Sequence, residues 1–573
     1  MTVNRAVILD GYTDEPAGLG VPPYIDVYPR YIAGALWVKN PHCQILYYTI
    51  DQVRRSFDEF KQAAEKSQLL IFIAGVAVPG KYLGGSPATL KDVVEVGKRI
   101  FTPIKLLCGP AARFDFGREG GRTALPSDLV SGLYDLIVKG DPDKVVMDLV
   151  DAKLDVDAVD PLKTRGSEAE LGEIAVRGAR IVVQHPNYPE SLLCEIETYR
   201  GCPRWFTGGC SFCTEPLYGE PSFRPVEHIV REIEALHSLG VVHFRLGRQP
   251  DLFSYMAKGV GDYEFPEPNP EAIEKLFKGI RQAAPNLQVL HIDNVNPGTI
   301  AHHPELSEKI AKIVVAHHSP GDVAAFGVES ADPLVVKLNN LKAEPEEALL
   351  AVEIINKIGA IRGENGLPHL LPGINFVYGL MGERRETYEY NYQFLKEILD
   401  RGLMIRRINL RQVLVFPNTR MWSIGDSIAK RHKKLFKVHK EKIRREIDLP
   451  MLRRVVPHYT VLRRVRTEVA ERTTTYARQI GSYPILVAIP EVLPLGKFID
   501  IVVVDHGFRS VVGLPYPIDI NKATLKTLQM LPGIGSKRAA GIVRARPITS
   551  REQLCEILKD DKLAEQLLQV VIL

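Results

Sequence analysis

Short apolar runs alternate with amphipathic stretches along the first 155 residues of the chain. The strand candidates, rich in β-branched and aromatic residues, are AVILDGY, CQILYYTI, LLIFIAG, IKLLCGP and DLIVKGD. Apolar strands that alternate with helical patterns are typical of a parallel sheet covered by helices. We therefore predict an α/β domain over residues 1–155 with a doubly wound parallel sheet.

A second series of strands and helices follows a charged, proline-broken connecting segment at residues 156–188. Helical patterns such as PVEHIVREIEALHSLG separate the strand candidates VVHFRLG, LQVLHIDNV, VAAFGVES, INFVYGLMGE and INLRQVLVFPNT. About six strand–helix units favour a partial (β/α)6 barrel over one flat sheet, with its chemistry at the carboxyl ends of the strands. We predict this barrel over residues 189–428.

The C-terminal third has a different pattern. Residues 429–512 begin with the basic helical stretch DSIAKRHKKLFKVHKEKIRREI and continue with the β-branched runs ARQIGSYPILVAIP and GKFIDIVVVDHGFRSVVG. They predict a basic helical segment and a small β domain. Residues 513–573 predict short helices joined by glycine-containing turns.

Length and composition exclude several classes of protein. A chain of 573 residues with 45% hydrophobic content can bury a large core over several domains. Its seven cysteines are too sparse for a secreted disulfide framework. The longest apolar run, residues 69–79, is too short to cross a bilayer. We expect a soluble cytoplasmic protein with no membrane contact, whose net charge of +4 is ordinary but whose cations are concentrated over residues 430–466.

Three cysteines are the main chemical signal. Cys202, Cys210 and Cys213 lie in TYRGCPRWFTGGCSFCTEP, directly after a predicted strand. Three thiolates suit a 4Fe-4S cluster and leave one iron open. A structural zinc ion would need a fourth ligand, for which His185 and Cys194 are the nearest upstream candidates. Zinc and unliganded thiols remain alternatives.

This cysteine loop resembles that of the radical S-adenosylmethionine (SAM) superfamily. The resemblance includes the aromatic Phe212 before the third cysteine, which would lie beside the adenine. It implies a 4Fe-4S cluster, SAM bound at the open iron, and an electron donor such as ferredoxin or flavodoxin. No catalytic residue is expected beyond the cluster site. The first cysteine gap holds seven residues instead of the family's usual three, and we expect the extra residues 204–209 to bulge outward.

The resemblance also assigns residues at the strand ends. Glu329 and Ser330 would bind the SAM ribose, and the segment Gly247 to Asp251, with Gln249, stands where the family binds the methionyl amine. Gly379 and Gly382 resemble the glycine turn after the fifth strand. Each of these assignments is weak evidence by itself, because a Gly or Glu at a strand end usually forms a turn or a helix cap.

The N-terminal domain resembles the cobalamin-binding-type domain that precedes many radical SAM barrels. Gly109 and Gly140 fall where such a domain turns its chain at strand ends. The cobalamin-binding histidine motif is absent, since His42 is the only histidine before residue 185. Bound cobalamin and a domain kept for packing both remain open.

Residues 517–545 resemble the helix-hairpin-helix modules of DNA-uptake and repair proteins. In LPGIGSKRA, Gly533 and Gly535 would let the backbone approach a phosphate, with Lys537 and Arg538 adding charge. Basic residues of the preceding segment would extend this surface: Lys433, Lys434, Arg444 and Arg445. The small β domain loosely resembles the RNA-binding TRAM barrel. A packing role for the hairpin and a solvated face for the basic helix are the alternatives.

These patterns lead to one main hypothesis and two alternatives. The main hypothesis is a radical SAM enzyme that modifies nucleic acid, most of all RNA, by methylation or a methylthiolation-type reaction. The second keeps the barrel and assigns a small molecule or a protein as substrate, as in cofactor biosynthesis. The third is a non-catalytic nucleic-acid-binding protein with a structural metal site.

Overall fold

A computed structural model describes residues 3–15, 18–75, 84–117 and 119–573. Its N-terminal sheet has five parallel strands in the order β2-β1-β3-β4-β5. The strands are β1 (Arg5–Asp10), β2 (Gln44–Thr49), β3 (Leu69–Ile73), β4 (Ile104–Cys108) and β5 (Leu136–Ile137). Both faces are covered, so the central strand β3 is buried along its whole length and reads as a continuous apolar run.

Helices flank this sheet and the segment that follows it. They are α1 (Val27–Lys39), α2 (Ile50–Arg55), α3 (Phe57–Glu65), α4 (Leu90–Arg99), α5 (Pro110–Phe114), α6 (Pro142–Asp151) and α7 (Leu171–Gly178). The connecting segment is itself folded, because α7 packs on α1 where two glycines meet. A Cβ on Gly34 would lie 1.9 Å from the carbonyl oxygen of Ile174.

The central domain is a partial parallel barrel of six strands, as the sequence predicts. They are β6 (Leu193–Glu197), β7 (His243–Gly247), β8 (Val289–Ile292), β9 (Asp322–Glu329), β10 (Leu370–Tyr378) and β11 (Arg407–Gln412). They neighbour each other in chain order; after β8 the short strand Asn294–Val295 makes the pairing to β9. The expected α/β fold class is therefore confirmed.

Helices cover the outside of this barrel. They are α8 (Val226–Ser238), α9 (Pro270–Ala283), α10 (Pro297–His302), α11 (Pro304–His317), α12 (Pro333–Asn339), α13 (Pro345–Gly359), α14 (Arg385–Asp400), α15 (Ser427–Arg431), α16 (Lys433–Ile443) and α17 (Leu449–Val455). The basic helix α16 packs beside α14, where Phe436 and His439 contact Tyr378. Tyr378 belongs to β10, and Arg444, just after α16, donates to Ile408 O of β11, so the helix covers the last two strands.

The N-terminal domain pairs with both edges of the barrel sheet. Its short strand Tyr24–Ile25 runs parallel to β6. At the other edge, Arg122–Thr123 pairs with Leu414–Val415, just after β11. Buried ion pairs, such as Arg30 on α1 with Glu232 on α8 at 2.5 Å, fix the same interface. At the carboxyl ends of the strands, Arg200 after β6 pairs with Asp141 of the N-terminal domain, so part of this domain forms a roof over the ends of β6 and β11.

The C-terminal β domain is a closed barrel of five strands. They are β12 (Val461–Glu471), β13 (Thr474–Gln479), β14 (Leu486–Ile489), β15 (Phe498–His506) and β16 (Ser510–Pro515). The order is β12-β13-β14-β16-β15, closing on β12, and only β14 and β16 are parallel among these pairs. This is the Greek-key arrangement of OB-type barrels.

Four short helices follow and share an apolar core with that barrel. They are α18 (Leu525–Gln529), α19 (Ser536–Arg544), α20 (Arg551–Leu558) and α21 (Asp561–Leu568). Val502 and Leu514 of the barrel lie in one cluster with Leu528 and Ile542 of the helices. Among the described residues, no helix is long and apolar enough to span a bilayer.

The small barrel closes the floor of the large one, at the amino ends of its strands. The loop Gly481–Tyr483 between β13 and β14 inserts into the amino-terminal end of the large barrel. Tyr483 donates to Asp293 at 2.6 Å and the Ser482 amide donates to His291 at 2.8 Å. Gln479 also contacts the loop before β10, donating to Asn365 O at 2.8 Å. The loop is therefore a plug for the barrel.

Candidate active site

The three predicted cluster ligands lie together at the carboxyl end of β6. A short hairpin, Tyr199–Arg200 paired with Ser222–Phe223, holds both ends of the cysteine loop. Cys202 and Cys210 are buried and Cys213 is half-buried. A loop anchored at both ends can present its thiols to one point with little further loss of conformational entropy.

The long first gap is folded onto the barrel by one arginine. Arg204 is buried, and its Nη1 donates to the Sγ of Cys210 at 3.6 Å, while its Nη2 donates to Asn340 O at 3.0 Å and Leu341 O at 3.2 Å. Its Nε donates to Glu264 at 2.8 Å. The expectation of a gap that only bulges outward is corrected, because Arg204 needs these buried acceptors.

The rest of the gap is a tight turn. Trp205–Thr207 form a 3₁₀ turn that ends at Gly208 with a φ of 80°. Asn340, just after α12, donates to Thr207 O at 3.2 Å and Gly209 O at 3.1 Å. Phe206 is exposed. The extra residues thus dock the loop while their tip remains in solvent.

The thiols face one another and a lysine. Burial raises the pKa of Cys202 to about 11; burial, then Glu215 and the other two thiols, raise the pKa of Cys213. Lys342 is half-buried, and all three thiols and Glu329 raise its pKa against the opposing effect of burial. A cation placed here suits a site that carries thiolate charge when metal is bound.

The arrangement does not suit a single zinc ion. Among the described residues, the three thiols do not form a group with all donor atoms within 4.8 Å of one another, with or without a fourth ligand. One tetrahedral ion needs such close donors. A cubane cluster accepts a wider spacing, since each thiolate binds a different iron.

Glu329 occupies the predicted place at the end of β9. It is 7% exposed and has a φ of 65°, and its Oε2 has no hydrogen-bond partner in the described part of the chain. Burial raises its pKa to about 7, opposed by Lys342 and Arg411. A buried unpaired acceptor is costly unless a ligand donates to it. A ribose diol supplies two such donors.

Two residues predicted to bind the methionyl amine are already engaged. Asp251 accepts from Ser254 at 2.6 Å, Thr299 at 2.8 Å and two backbone amides, of Phe253 at 3.1 Å and Asn296 at 3.0 Å. It caps the turn that follows β7. Asp251 therefore has protein donors for its lone pairs, and its assignment to an ammonium group stays a prediction.

The side chain of Gln249 is also hydrogen-bonded within the protein. Its Nε2 donates to Leu246 O at 2.8 Å and its Oε1 accepts from Thr198 at 3.1 Å. Gly247 lies at the end of β7, where a Cβ would come 1.6 Å from a carboxylate oxygen of Glu195. Its lack of a side chain makes room for Glu195, which the sequence did not indicate.

The other residues predicted to contact SAM also have structural roles in the fold. Ser330 accepts from the Asp332 amide at 3.2 Å at the start of α12. Gly379 has a φ of 92° and its Cβ would lie 2.6 Å from Ala429 of α15. Gly382 has a φ of 79° in the same turn. Phe212 packs with Cys210 in an apolar cluster near the mouth.

The residues that sequence reasoning missed are Arg204 and Lys342. Arg204 lies in the long gap between Cys202 and Cys210, and the unusual length of this gap was the only sequence feature that pointed to it. Lys342 follows α12 in an ordinary polar sequence, and no local pattern marks it as facing the thiols.

The predicted nucleic-acid residues lie away from this mouth. Gly533 and Gly535 are exposed in the turn between α18 and α19, and Lys537 is exposed in the first turn of α19. Arg538 instead donates to Gly533 O at 2.9 Å and pairs with Asp560 at 3.3 Å. Its charge is thus partly used within the hairpin.

The four basic residues predicted to extend this surface also differ in whether they have protein partners. Lys433 and Lys434 are exposed at the start of α16. Arg444 pairs with Asp448 and donates to Ile408 O at 3.2 Å, while the exposed Arg445 pairs with Glu446 at 3.1 Å. The two lysines are therefore the freer cations.

Comparisons with known proteins agree with this geometry. Residues 196–395 match the model of the radical SAM superfamily, and residues 516–569 match a helix-hairpin-helix motif. An uncharacterized protein of Methanocaldococcus jannaschii is 50% identical over 90% of this chain and 93% of its own length. An uncharacterized protein of Archaeoglobus fulgidus is 43% identical over 96% and 97%.

Two solved structures are similar at low sequence identity. The radical SAM methyltransferase TsrM of Kitasatospora setae, with cobalamin and a [4Fe-4S] cluster bound, aligns over 73% of this chain and 74% of its own at 13% identity and a TM-score of 0.48. The cobalamin-dependent enzyme OxsB aligns over 76% and 56% at 12% identity and a TM-score of 0.45.

The donor set fits the cofactors that the matched domain implies. Cys202, Cys210 and Cys213 offer three thiolates for a 4Fe-4S cluster, and the unpartnered oxygen of Glu329 offers an acceptor for SAM. With these groups converging over the carboxyl ends of six parallel strands, and with the match over residues 196–395, the chain belongs to the radical SAM superfamily as one of its enzymes.

Proposed function

We propose that this enzyme uses its cluster and SAM to modify a nucleic acid, RNA in particular, by a methylation or methylthiolation-type reaction in the cytoplasm. The observation that supports the substrate class most directly is the geometry at Gly535. Its φ of −74° is open to any residue, and a Cβ there would have nothing within 4 Å. The fold does not need glycine here, whereas a close ligand would.

A phosphate is the ligand that suits this position. Gly535 is the N-cap of the nine-residue α19, and no side chain of its own caps the helix. Free amides and the positive end of the helix dipole attract an anion. The exposed Lys537 adds a charge. A hairpin of this kind holds the backbone of a nucleic acid without selecting its sequence.

The site residues then have defined tasks. When bound, the cluster supplies one electron to cleave SAM, which gives a radical able to remove a hydrogen from the substrate. The three cysteines hold it, Arg204 donates to one thiolate, and Glu329 accepts from the ribose. The roof formed by the N-terminal domain keeps water from this chamber. A ferredoxin- or flavodoxin-type donor would supply the electron.

Cobalamin belongs to the methylation form of the proposal. The N-terminal sheet has the doubly wound order 2-1-3-4-5, and such sheets bind ligands at their carboxyl edge. Gly109, with a φ of 89° after β4, turns at this edge. Gly140 does not support the site, because a Cβ there would lie 2.1 Å from Lys163 O of the connecting segment.

A second candidate keeps the chemistry and changes the substrate. The hairpin is attached to the barrel that closes the floor, so it lies beyond the end opposite the cysteines. That placement favours a small molecule or protein substrate if the hairpin only docks partners. The third alternative, a structural metal without catalysis, makes no use of Glu329.

Anaerobic reconstitution tests the chemistry first. We expect iron and sulfide in a 4:4 ratio per chain by the cubane stoichiometry, and release of 5′-deoxyadenosine from SAM on reduction. A Cys210→Ala variant should lose both, with Cys555→Ala as the matched control. Zinc in place of iron, with no SAM cleavage, would favour the non-catalytic alternative.

Nucleoside analysis tests the substrate. RNA from cells with and without the gene is compared, and the missing nucleoside is then restored in vitro with the reconstituted enzyme. An unchanged nucleoside profile together with SAM cleavage would favour the small-molecule or protein substrate.

A further inference from the structure

Three side chains with metal-binding atoms meet far from the cysteine loop, where the chain passes from the large barrel to the small one. His458 lies in the segment between α17 and β12, and Asp505 and His506 are the last two residues of β15. One donor atom of each residue lies within 4.8 Å of the other two. Two imidazoles and a carboxylate are ligands that suit a divalent transition metal such as Zn²⁺.

His506 is arranged as a metal-binding histidine. It is 9% exposed, and its Nε2 lies 2.6 Å from Val456 O. A carbonyl oxygen only accepts, so Nε2 carries the proton and Nδ1 carries a lone pair. In the part of the chain that the structure describes, this buried Nδ1 has no hydrogen-bond partner. Histidines that bind metals usually donate their other ring nitrogen to a carbonyl or a carboxylate in this way.

The lone pair of His506 is the observation that points to a ligand. A buried acceptor without a donor is costly, and a bound cation would satisfy it. The ring of His458 lies beside that of His506, with ring centres 4.8 Å apart and planes tilted by 42°. Because His458 is exposed, its ring can turn a nitrogen toward the same point at little cost.

Asp505 completes the donor set. Its Oδ1 accepts from the His506 amide at 2.8 Å, which orients the carboxylate so that Oδ2 is the oxygen for a metal. Adjacent strand residues normally point to opposite faces, but the pairing of β15 with β16 shifts its register between Val503 and Asp505. A bulge of this kind can re-aim side chains. Three protein ligands leave the fourth tetrahedral position to water.

The segment that carries His458 contacts three parts of the molecule. It starts at Val456, where α17 ends. The Tyr459 amide donates to Val503 O of the small barrel at 2.8 Å, and the Tyr459 hydroxyl donates to Pro532 O in the hairpin turn. Tyr459 has a φ of 66°, which costs a non-glycine residue free energy and needs support from its surroundings. A metal ion bound next to Tyr459 would supply such support.

We propose that His458, Asp505 and His506 bind one Zn²⁺ ion, which fastens this connecting segment to β15. The ion holds the small barrel and the hairpin in a fixed orientation to the large barrel. This site is independent of the proposed function, because the small barrel lies at the amino ends of the large barrel's strands and the cysteines lie at the carboxyl ends.

Zinc binding is measured on the reconstituted full chain, in which the cluster occupies the three cysteines. The protein is dialysed against buffered Zn²⁺, and its bound metals are counted by plasma mass spectrometry. We expect about one zinc per chain with the iron content unchanged. Mg²⁺ should not bind, because it prefers oxygen ligands.

Two single variants remove ligands at exposed positions, where the change should not prevent folding: His458→Ala and Asp505→Asn. Loss of an outer hydrogen-bond partner alone weakens metal binding about 10- to 100-fold. Zinc affinity should therefore fall at least about 100-fold in His458→Ala and at least about tenfold in Asp505→Asn. The matched control His42→Ala/Asp58→Asn changes an exposed histidine and an exposed aspartate elsewhere and should keep the wild-type affinity.

Hydrogen exchange tests whether the ion fastens the segment. At a zinc concentration about ten times the dissociation constant, an opening that releases the ion becomes about tenfold rarer. Amide exchange of residues 456–460 should slow by about that factor in the wild type and not in His458→Ala.

The outcomes separate this site from the cluster. A wild type that binds no zinc, or His458→Ala that binds it equally well, would overturn the metal site. Zinc that binds without slowing exchange would overturn its role in holding the segment. Both results would leave the proposed function intact, and reductive SAM cleavage should be equal in the wild type and His458→Ala.

Discussion

At the scale of single residues, Arg204 explains why a longer cysteine gap is compatible with a cluster site. Its guanidinium satisfies the Cys210 thiol, Glu264 and two backbone carbonyls from one buried position. A shorter loop would have no room for such a side chain. The gap therefore brings a fixed positive charge to the thiolates.

That charge should set the reduction potential of the cluster. Reduction adds negative charge, so a donor to the thiolate favours the reduced form. In an Arg204→Gln/Glu264→Gln variant, which leaves no unpaired carboxylate, we expect the midpoint potential to fall by about 60 mV, a factor of ten for one electron. An EPR-monitored redox titration measures it. An unchanged potential with an intact cluster would show that Arg204 only holds the loop.

Glu329 should make SAM binding depend on pH. Its pKa is raised to about 7, so the carboxyl is neutral below that pH and loses acceptor capacity. SAM affinity should rise about tenfold per pH unit up to pH 7 and level off above it. Equilibrium dialysis with the cluster-loaded protein measures the profile. A Glu329→Gln variant should bind more weakly with no such slope; a slope that persists in it would assign the titration elsewhere.

The site could be predicted only where local sequence carries the signal. The cysteines and Glu329 follow strands, and strand ends meet at one mouth in any parallel barrel. Asp251 and Gln249 were assigned by position, but donors from residues 254 and 299 and an acceptor at Leu246 engage them. Such partners are set by tertiary packing, which a single sequence does not display.

At the scale of elements, the loop Gly481–Tyr483 joins the two barrels, and Tyr483 makes one of its buried contacts. Tyr483 donates to Asp293, which is fully buried and also pairs with Arg245. In Tyr483→Phe the carboxylate loses a donor, which should cost about 1.5–3 kcal/mol. Urea unfolding measures the loss. Tyr263→Phe, at a 66% exposed position, is the control and should change little.

Elements with long apolar patterns were the predictable part of the fold. Strands β9 and β10 correspond to the apolar runs VAAFGVES and INFVYGLMGE, because burial along most of their length leaves a strong local signature. Tyr24–Ile25 and Arg122–Thr123 have two residues each, too few for any period to show. Their pairing depends on domain docking, so the roof could not be foreseen.

At the scale of the whole molecule, the helix-hairpin-helix motif and the cysteine loop lie at opposite ends of the large barrel. The hairpin lies beyond the floor, and the cysteines lie under the roof. A small ligand cannot reach from one to the other, but a folded RNA can contact both ends of a barrel. Under the proposed function, the RNA substrate would therefore have to extend along the barrel and contact both ends.

Gly535→Ala tests the distant contact. Because the position has ordinary backbone angles and empty space, the variant should fold with unchanged stability. Its methyl group would keep a phosphate from the amides, so RNA affinity should fall about 3- to 10-fold by loss of roughly one charge-assisted hydrogen bond. Reductive SAM cleavage without RNA should be unchanged. Equal RNA affinity would restrict the hairpin to packing or protein docking.

The plug loop has a kinetic consequence as well. The plug loop closes the amino-terminal end of the barrel, so a nucleic-acid strand cannot pass through the barrel from one end to the other. A substrate that enters must leave by the same route. Turnover should therefore be distributive, each modified molecule dissociating before another arrives, and the modified product should act as a competitive inhibitor of fresh substrate.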